Sequence, residues 1–330
     1  MLWFWVILGL AVLILSGDAL VKGAVNLSLR LGIPTLIVSL TIVAFGTSAP
    51  ELIISINAVL EGAAGLAMGN VVGSNIANIL LVLGVPAIVA TLETGAHDTK
   101  KSYKFMLLAS VLFVGLAFWG PFSWQSGLIL LTALVFTLGD NLRDALRHSQ
   151  PDASEAQARA PSDAAGPATT AQEERLTEGD TMMPWPQIVL FLALGMIGLP
   201  LGAHILVDSA TQIAQQFGIS DAVIGLTLVA LGTSLPELAT TVMAALRRQA
   251  DVALGNVIGS NIFNLLAIMG LTSLVGPVPV DSGFLQFDLW VMLAASALLI
   301  PFVFFGWNIT RIFGLGLTAL YLLYVSIVLM

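Results

Sequence analysis

Apolar residues run through this chain in long blocks, and the few polar positions inside the blocks recur at matching places. A helix that crosses a bilayer needs about 20 mostly apolar residues. Such stretches occur at 2–25, 33–59, 65–91, 104–120, 124–142, 186–214, 219–246, 252–275, 286–306 and 308–328. They predict ten transmembrane helices. The second and seventh are long and carry Pro50 and Pro236 with glycines near their middles, so each is expected to be broken. Residues 143–184 interrupt the pattern. They include PDASEAQARAPSDAAGPATTAQEERLTEGD, rich in Ala, Pro, Ser and acid. A segment with so few large apolar side chains cannot bury a core and is expected to be disordered.

That segment divides the chain into residues 1–142, with five spans, and residues 185–330, with five more. An odd number of spans per half makes the halves enter the membrane from opposite sides. The predicted fold is an all-α polytopic membrane protein of two inverted five-helix repeats. Composition agrees: 57% of the 330 residues are hydrophobic, 10% are charged, and mean hydropathy is +0.96. A soluble domain could not hide that much apolar surface. The chain has no cysteine, which excludes disulfides and thiolate metal sites. Half of the net charge of −8 comes from 143–184, and it gives no reason to expect a nucleic-acid partner. The start, MLWFWVILGL, lacks the basic region and cleavage site of a signal peptide and reads as the first span.

The basic residues set the orientation. Lys22, Arg30, Lys100, Lys101, Lys104, Arg143, Arg147, Arg159, Arg175, Arg247, Arg248 and Arg311 all fall at the same side of the ten-span topology. By the positive-inside rule that side is cytoplasmic. Both termini are then expected outside, with the 143–184 loop inside the cell.

The two halves also share a text. Residues 46–84 read GTSAPELIISINAVLEGAAGLAMGNVVGSNIANILLVLG, and residues 232–270 read GTSLPELATTVMAALRRQADVALGNVIGSNIFNLLAIMG. The offset is 186, and 26 of the 53 positions from Gly32 to Gly84 match their partners. Glu51 and Glu237 fall near the middle of their spans with no basic residue nearby in sequence. A buried carboxylate costs several kcal/mol unless it is paired, hydrated or bound to a cation. Two of them at symmetric mid-membrane positions point to a cation as the missing charge.

Their neighbours supply further oxygen. Thr47 lies four residues before Glu51, and Thr233 four before Glu237, so each pair shares a helix face. Ser48 and Ser234 add hydroxyls. On the next spans, Ser74 with Asn78 and Ser260 with Asn264 repeat the four-residue spacing. Pro50 and Pro236 lack an N–H, which frees the carbonyls of Gly46 and Gly232. A donor set of carboxylate, hydroxyl, amide and carbonyl oxygen suits calcium and sodium, not zinc or copper.

The duplicated GTSxPE and GNVxGSN closely resemble the motifs of the cation/calcium exchanger superfamily, and its microbial sodium/calcium exchangers most of all. The resemblance covers nearly the whole chain. It implies that Glu51 and Glu237 are the central ligands, joined by Thr47, Ser48, Ser74, Asn78, Thr233, Ser234, Ser260 and Asn264. It adds the carbonyls of Ala44 and Ala230. Some relatives carry aspartate where this chain has Asn264. With Asn at both positions only two carboxylates face the site, which implies no potassium requirement. The 42-residue loop 143–184 is too short for the calcium-sensing domains that some relatives insert there.

The resemblance also implies a sodium-for-calcium antiporter. Spans 2, 3, 7 and 8 would hold the ions while spans 1 and 6 move across them. No catalytic residues, cofactor or obligatory protein partner is implied; the partners are the two ions and the lipid bilayer. A prokaryotic inner membrane is the implied location. A proton-coupled exchanger of calcium or another divalent cation is the alternative with the same fold. A passive channel is disfavoured by the inverted repeats. An intramembrane hydrolase is disfavoured by the absence of histidine beside the two Glu residues.

Several polar positions have a structural reading as well. Asn70 and Asn256 are expected to bond between helices. The GxxxG pairs Gly69/Gly73 and Gly255/Gly259 are expected to permit close packing of spans 3 and 8. Asp18 with Lys22, and His204 with Asp208, occupy matching places in spans 1 and 6 and are expected to form local pairs, with gating as the second reading. Arg247 and Arg248 are expected to be topology signals.

Overall fold

The computed structural model describes residues 1–94, 99–148, 183–218 and 230–329. Among the described residues, twelve helices contribute to the ten spans. In the first repeat they are α1 (Leu2–Leu31), α2 (Thr35–Thr47), α3 (Ala49–Leu60), α4 (Ala64–Val89), α5 (Lys100–Trp119) and α6 (Trp124–His148). In the second they are α7 (Trp185–Gln216), α8 (Ala230–Thr233), α9 (Leu235–Leu246), α10 (Ala250–Val275), α11 (Phe284–Phe305) and α12 (Arg311–Val328). The second span is α2 plus α3, bent by 44° where they meet. The seventh is α8 plus α9, and its first part, 219–229, lies outside the described residues. So does most of the 143–184 linker. α6 continues to His148, beyond the boundary expected at 142.

Why the chain breaks where it does is visible in the backbone. Pro50 and Pro236 sit at the second position of α3 and α9, where a missing N–H removes nothing that the new helix needs. Ser48 (φ −87°, ψ 5°) and Ser234 (φ −86°, ψ 2°) form the joints with the same geometry. Both repeats therefore reach the same local solution from the same GTSxPE text.

Burial separates a core from a periphery. The whole apolar window of α10 is buried, and 78% of that of α4, against 17% for α12 and 28% for α6 and α7. The outward faces of the peripheral helices carry exposed large apolar side chains such as Ile7, Leu108, Val135, Ile197 and Ile312, as lipid contact requires. Gly255 and Gly259 let α10 lie directly on α2. A Cβ at 255 would stand 2.7 Å from Ser39 Cβ, and one at 259 would stand 2.6 Å from Leu40 O and Ala44 Cβ. The mirror contacts of Gly69 and Gly73 would fall on residues 225–230, nearly all outside the described residues.

α1 and α7 pair antiparallel along a seam of small residues that the sequence reading passed over. A Cβ at Gly9 would meet Leu206 N at 2.7 Å, one at Gly202 would meet Leu13 N at 2.8 Å, and one at Gly195 would meet Leu20 Cβ at 2.5 Å. Small side chains permit this approach, which is how helices associate where lipid is the solvent. Two isolated β-bridges close the ends of the bundle. Leu92 pairs with Ile309, and Phe122 with Val278. Leu92 and Val278 are 186 apart, so these loop contacts follow the repeat as well.

The repeats differ in one packing relation. α1 lies along α9, while α7 makes no comparable contact with α3, its counterpart.

Candidate functional site

Glu51 and Glu237 stand just after the two helix joints, and each is 1% exposed. Because the repeats are inverted, the joints meet back to back. Ser48 Oγ donates across to Glu237 Oε1 at 3.0 Å, so the serine of one repeat serves the carboxylate of the other. Thr47 Oγ1 donates to Asn256 Oδ1 at 3.2 Å and lies 3.5 Å from Ser260 Oγ on α10. Thr233, Ser234, Ser74, Asn78 and Asn264 are buried as well.

Two asparagines fix the carboxylate-bearing turns from behind. Asn70 Nδ2 donates to Glu51 O at 3.1 Å and to Ser55 Oγ at 2.9 Å. Asn256 Nδ2 does the same in the other repeat, to Glu237 O at 3.4 Å and Thr241 Oγ1 at 3.2 Å. These are the interhelical bonds expected of them. They tie α3 to α4 and α9 to α10, so the carboxylates are held by rigid elements on both sides.

What remains unbonded bears on the chemistry. Glu51 Oε2, Glu237 Oε2, Ser234 Oγ, Asn78 Oδ1 and both amide atoms of Asn264 are sealed from solvent and make no hydrogen bond. Buried polar atoms nearly always have a partner, and orphaned carboxylate oxygens are especially costly. Neither glutamate takes part in any of the described ion pairs, which lie elsewhere. Among the described residues no three His, Cys, Asp or Glu side chains cluster. Two buried carboxylates with unpartnered oxygens, accompanied by neutral oxygen donors, fit a hard cation.

The residues named from the sequence are placed unevenly. Ala44 is fully buried at the joint, and its carbonyl accepts from Ser48 N at 3.0 Å and Thr47 Oγ1 at 3.3 Å. Ala230 opens α8 in the matching place. Asn78 lies in regular α-helix and donates through Nδ2 to Asn261 Oδ1 at 3.1 Å. Asn264 instead lies in a π-helical turn, Phe263–Ile268. Such turns often mark functional positions because they re-aim a side chain.

Asn261 is the participant that the sequence reading missed. It is fully buried, receives Asn78, and places its own amide against Met106 Sδ at 3.6 Å. Its twin Asn75 turns back to Val71 O at 2.7 Å. The duplicated GSN contained both residues, but only the packing shows that one braces the site while the other serves its own helix.

Comparison with known proteins agrees with this geometry. A family model described as "Sodium/calcium exchanger protein" matches residues 1–139 and 187–330. The chain belongs to that family. It is 35% identical to sodium/calcium exchanger MaX1 of Methanosarcina acetivorans, covering 97% of this chain and 96% of the relative. It is 36% identical to inner membrane protein YrbG of Escherichia coli, over 88% and 85% of the two chains. A solved structure of the sodium-calcium exchanger NCX_Mj matches with a TM-score of 0.80 at 30% identity, covering 98% of this chain and 97% of the other. This family member is therefore a membrane transporter of the cation/calcium exchanger superfamily, with ten helices in two repeats, and not an enzyme.

Proposed function

We propose that the protein is a sodium/calcium antiporter that extrudes calcium by alternating access, driven by the sodium gradient. The observation that carries this reading is the pair of symmetry-related carboxylates, each with a buried oxygen lacking any partner. Glu51 and Glu237 are the shared ligands. Thr47, Ser48, Ser74, Asn78, Thr233, Ser234, Ser260, Asn264 and the carbonyls of Ala44 and Ala230 complete the oxygen shell. Two negative charges balance one calcium ion. Several sodium ions competing for the same oxygens supply equal or greater charge, so either load neutralises the site. An unneutralised pair of carboxylates resists the passage through a closed, dehydrated state, which couples the two fluxes.

With only two acids at the site, exchange requires no potassium. The cytoplasmic side is that of Arg30, Lys100 and Arg247, in a prokaryotic inner membrane with both termini outside. The packing of α1 along α9 then closes the cytoplasmic side, and the missing contact of α7 with α3 leaves the outer side open.

The test is calcium uptake into proteoliposomes loaded with sodium and diluted into sodium-free buffer, beside vesicles carrying a proton gradient and no sodium. Uptake that needs internal sodium and disappears in Glu51→Gln supports the proposal. Uptake driven by protons alone assigns the chain to proton coupling, and no calcium movement under either gradient rejects the substrate.

A further inference from the structure

The ion pairs at the inner end of α1 have an image in the other repeat in which both cations become acids and the acid becomes histidine. Asp18 Oδ1 accepts from Nε and Nη2 of Arg247, the residue that follows α9. Asp18 Oδ2 meets Lys22 Nζ at 2.9 Å. One carboxylate thus stands between two cations and ties α1 to the ion-binding core. Gly17 permits the approach, since a Cβ there would lie 3.1 Å from the Ala239 backbone of α9. Arg247 is therefore more than the topology signal expected from sequence.

The repeat offset of 186 carries Asp18 to His204 and Lys22 to Asp208, and it carries Arg247 back to Glu61. Cation, anion, cation becomes anion, histidine, anion. In this structure the second set is apart. His204 and Glu61 are exposed and no described hydrogen bond or ion pair joins them, while Asp208 accepts from Gln212 Nε2 at 2.9 Å. The helices that bear them, α7 and the end of α3, are the pair that lacks the packing seen between α1 and α9.

We propose that the two trios are opposing latches of one switch. Asp18–Arg247 holds the cytoplasmic side closed, and His204–Glu61 forms when the repeats exchange packing and the outer side closes. The inference rests on the alternating-access reading above. In an inverted repeat the second state is built by giving each half the arrangement of the other. His204 then stands between Asp208 and Glu61 as Asp18 now stands between Lys22 and Arg247.

The absence of cysteine permits a clean test in the full chain. Two pairs are made, Asp18→Cys with Arg247→Cys, and Glu61→Cys with His204→Cys, each in sealed right-side-out vesicles. Both pairs are expected to crosslink under mild oxidation, each at the expense of transport that reductant restores. An outer pair that fails to crosslink while the inner pair does overturns the proposal. So does an inner pair that fails. Crosslinking needs no particular ion, so missing calcium uptake with both crosslinks formed counts against the transported ion alone.

Discussion

The two repeats use the same text and do different things with it. GTSxPE gives the same joint twice, with Ser48 and Ser234 within a few degrees of each other in φ and ψ. Ser48 nevertheless bonds the opposite carboxylate, whereas Ser234 Oγ bonds nothing. Asn78 leans on Asn261, whereas Asn264, lifted by a π-helical turn, has no hydrogen bond at all. α1 lies on α9, and α7 does not lie on α3. Identical sequence therefore sets the local chemistry. The state of the whole bundle decides which copy of each group is engaged, as expected where a switch consists of two halves exchanging roles.

The comparison breaks most completely at the carboxylates. Glu51→Gln and Glu237→Gln each remove half the site's charge, and a lost buried charge partner costs about 3 kcal/mol. Each is expected to weaken calcium binding roughly a hundredfold, as read by calcium-dependent thermal shift. Equal losses would show that both repeats serve the same ion.

The close packing of α10 on α2 gives the next effect. Gly259→Val must displace Leu40 O and Ala44 Cβ, and overpacking of this kind costs about 1–3 kcal/mol. Gly139→Val, where a Cβ meets nothing within 4 Å, is expected to leave the melting temperature in detergent near wild type.

The asparagines sharpen the contrast. Asn78→Asp loses the amide that donates to Asn261 and sets a carboxylate against its oxygen. Asn264→Asp has no hydrogen bond to lose. The first is expected to cost about 1–3 kcal/mol of stability, and the second to be tolerated and to tighten calcium binding through added charge. The reverse order would show that the π-helical turn does not present Asn264 to the cation.

The smallest effect separates the serines. Ser48→Ala removes a described hydrogen bond and is expected to lower ion-free stability by about 1 kcal/mol. Ser234→Ala is expected to leave ion-free stability unchanged and to weaken ion binding alone. Thermal melts with and without calcium distinguish the two.

Hydropathy placed the spans, because an apolar run of sufficient length has few stable positions outside a bilayer. The proline at each joint placed the breaks, because a missing N–H acts locally. The duplicated carboxylates marked the candidate site, because a charge at that depth calls for a neutralising partner. All of this is one-dimensional physics and needed no coordinates.

The tertiary structure decided the rest. The seam between α1 and α7 depends on small residues from helices nearly 200 positions apart meeting in register. Asn75 and Asn261 read alike, and only the neighbours that each meets made one a brace of the site. The expected Asp18–Lys22 pair is present, but its tie to Arg247 appeared only when α1 was seen against α9. A sequence repeat states which groups are equivalent. It cannot state which of two equivalents is engaged, because that depends on the packing of one half against the other.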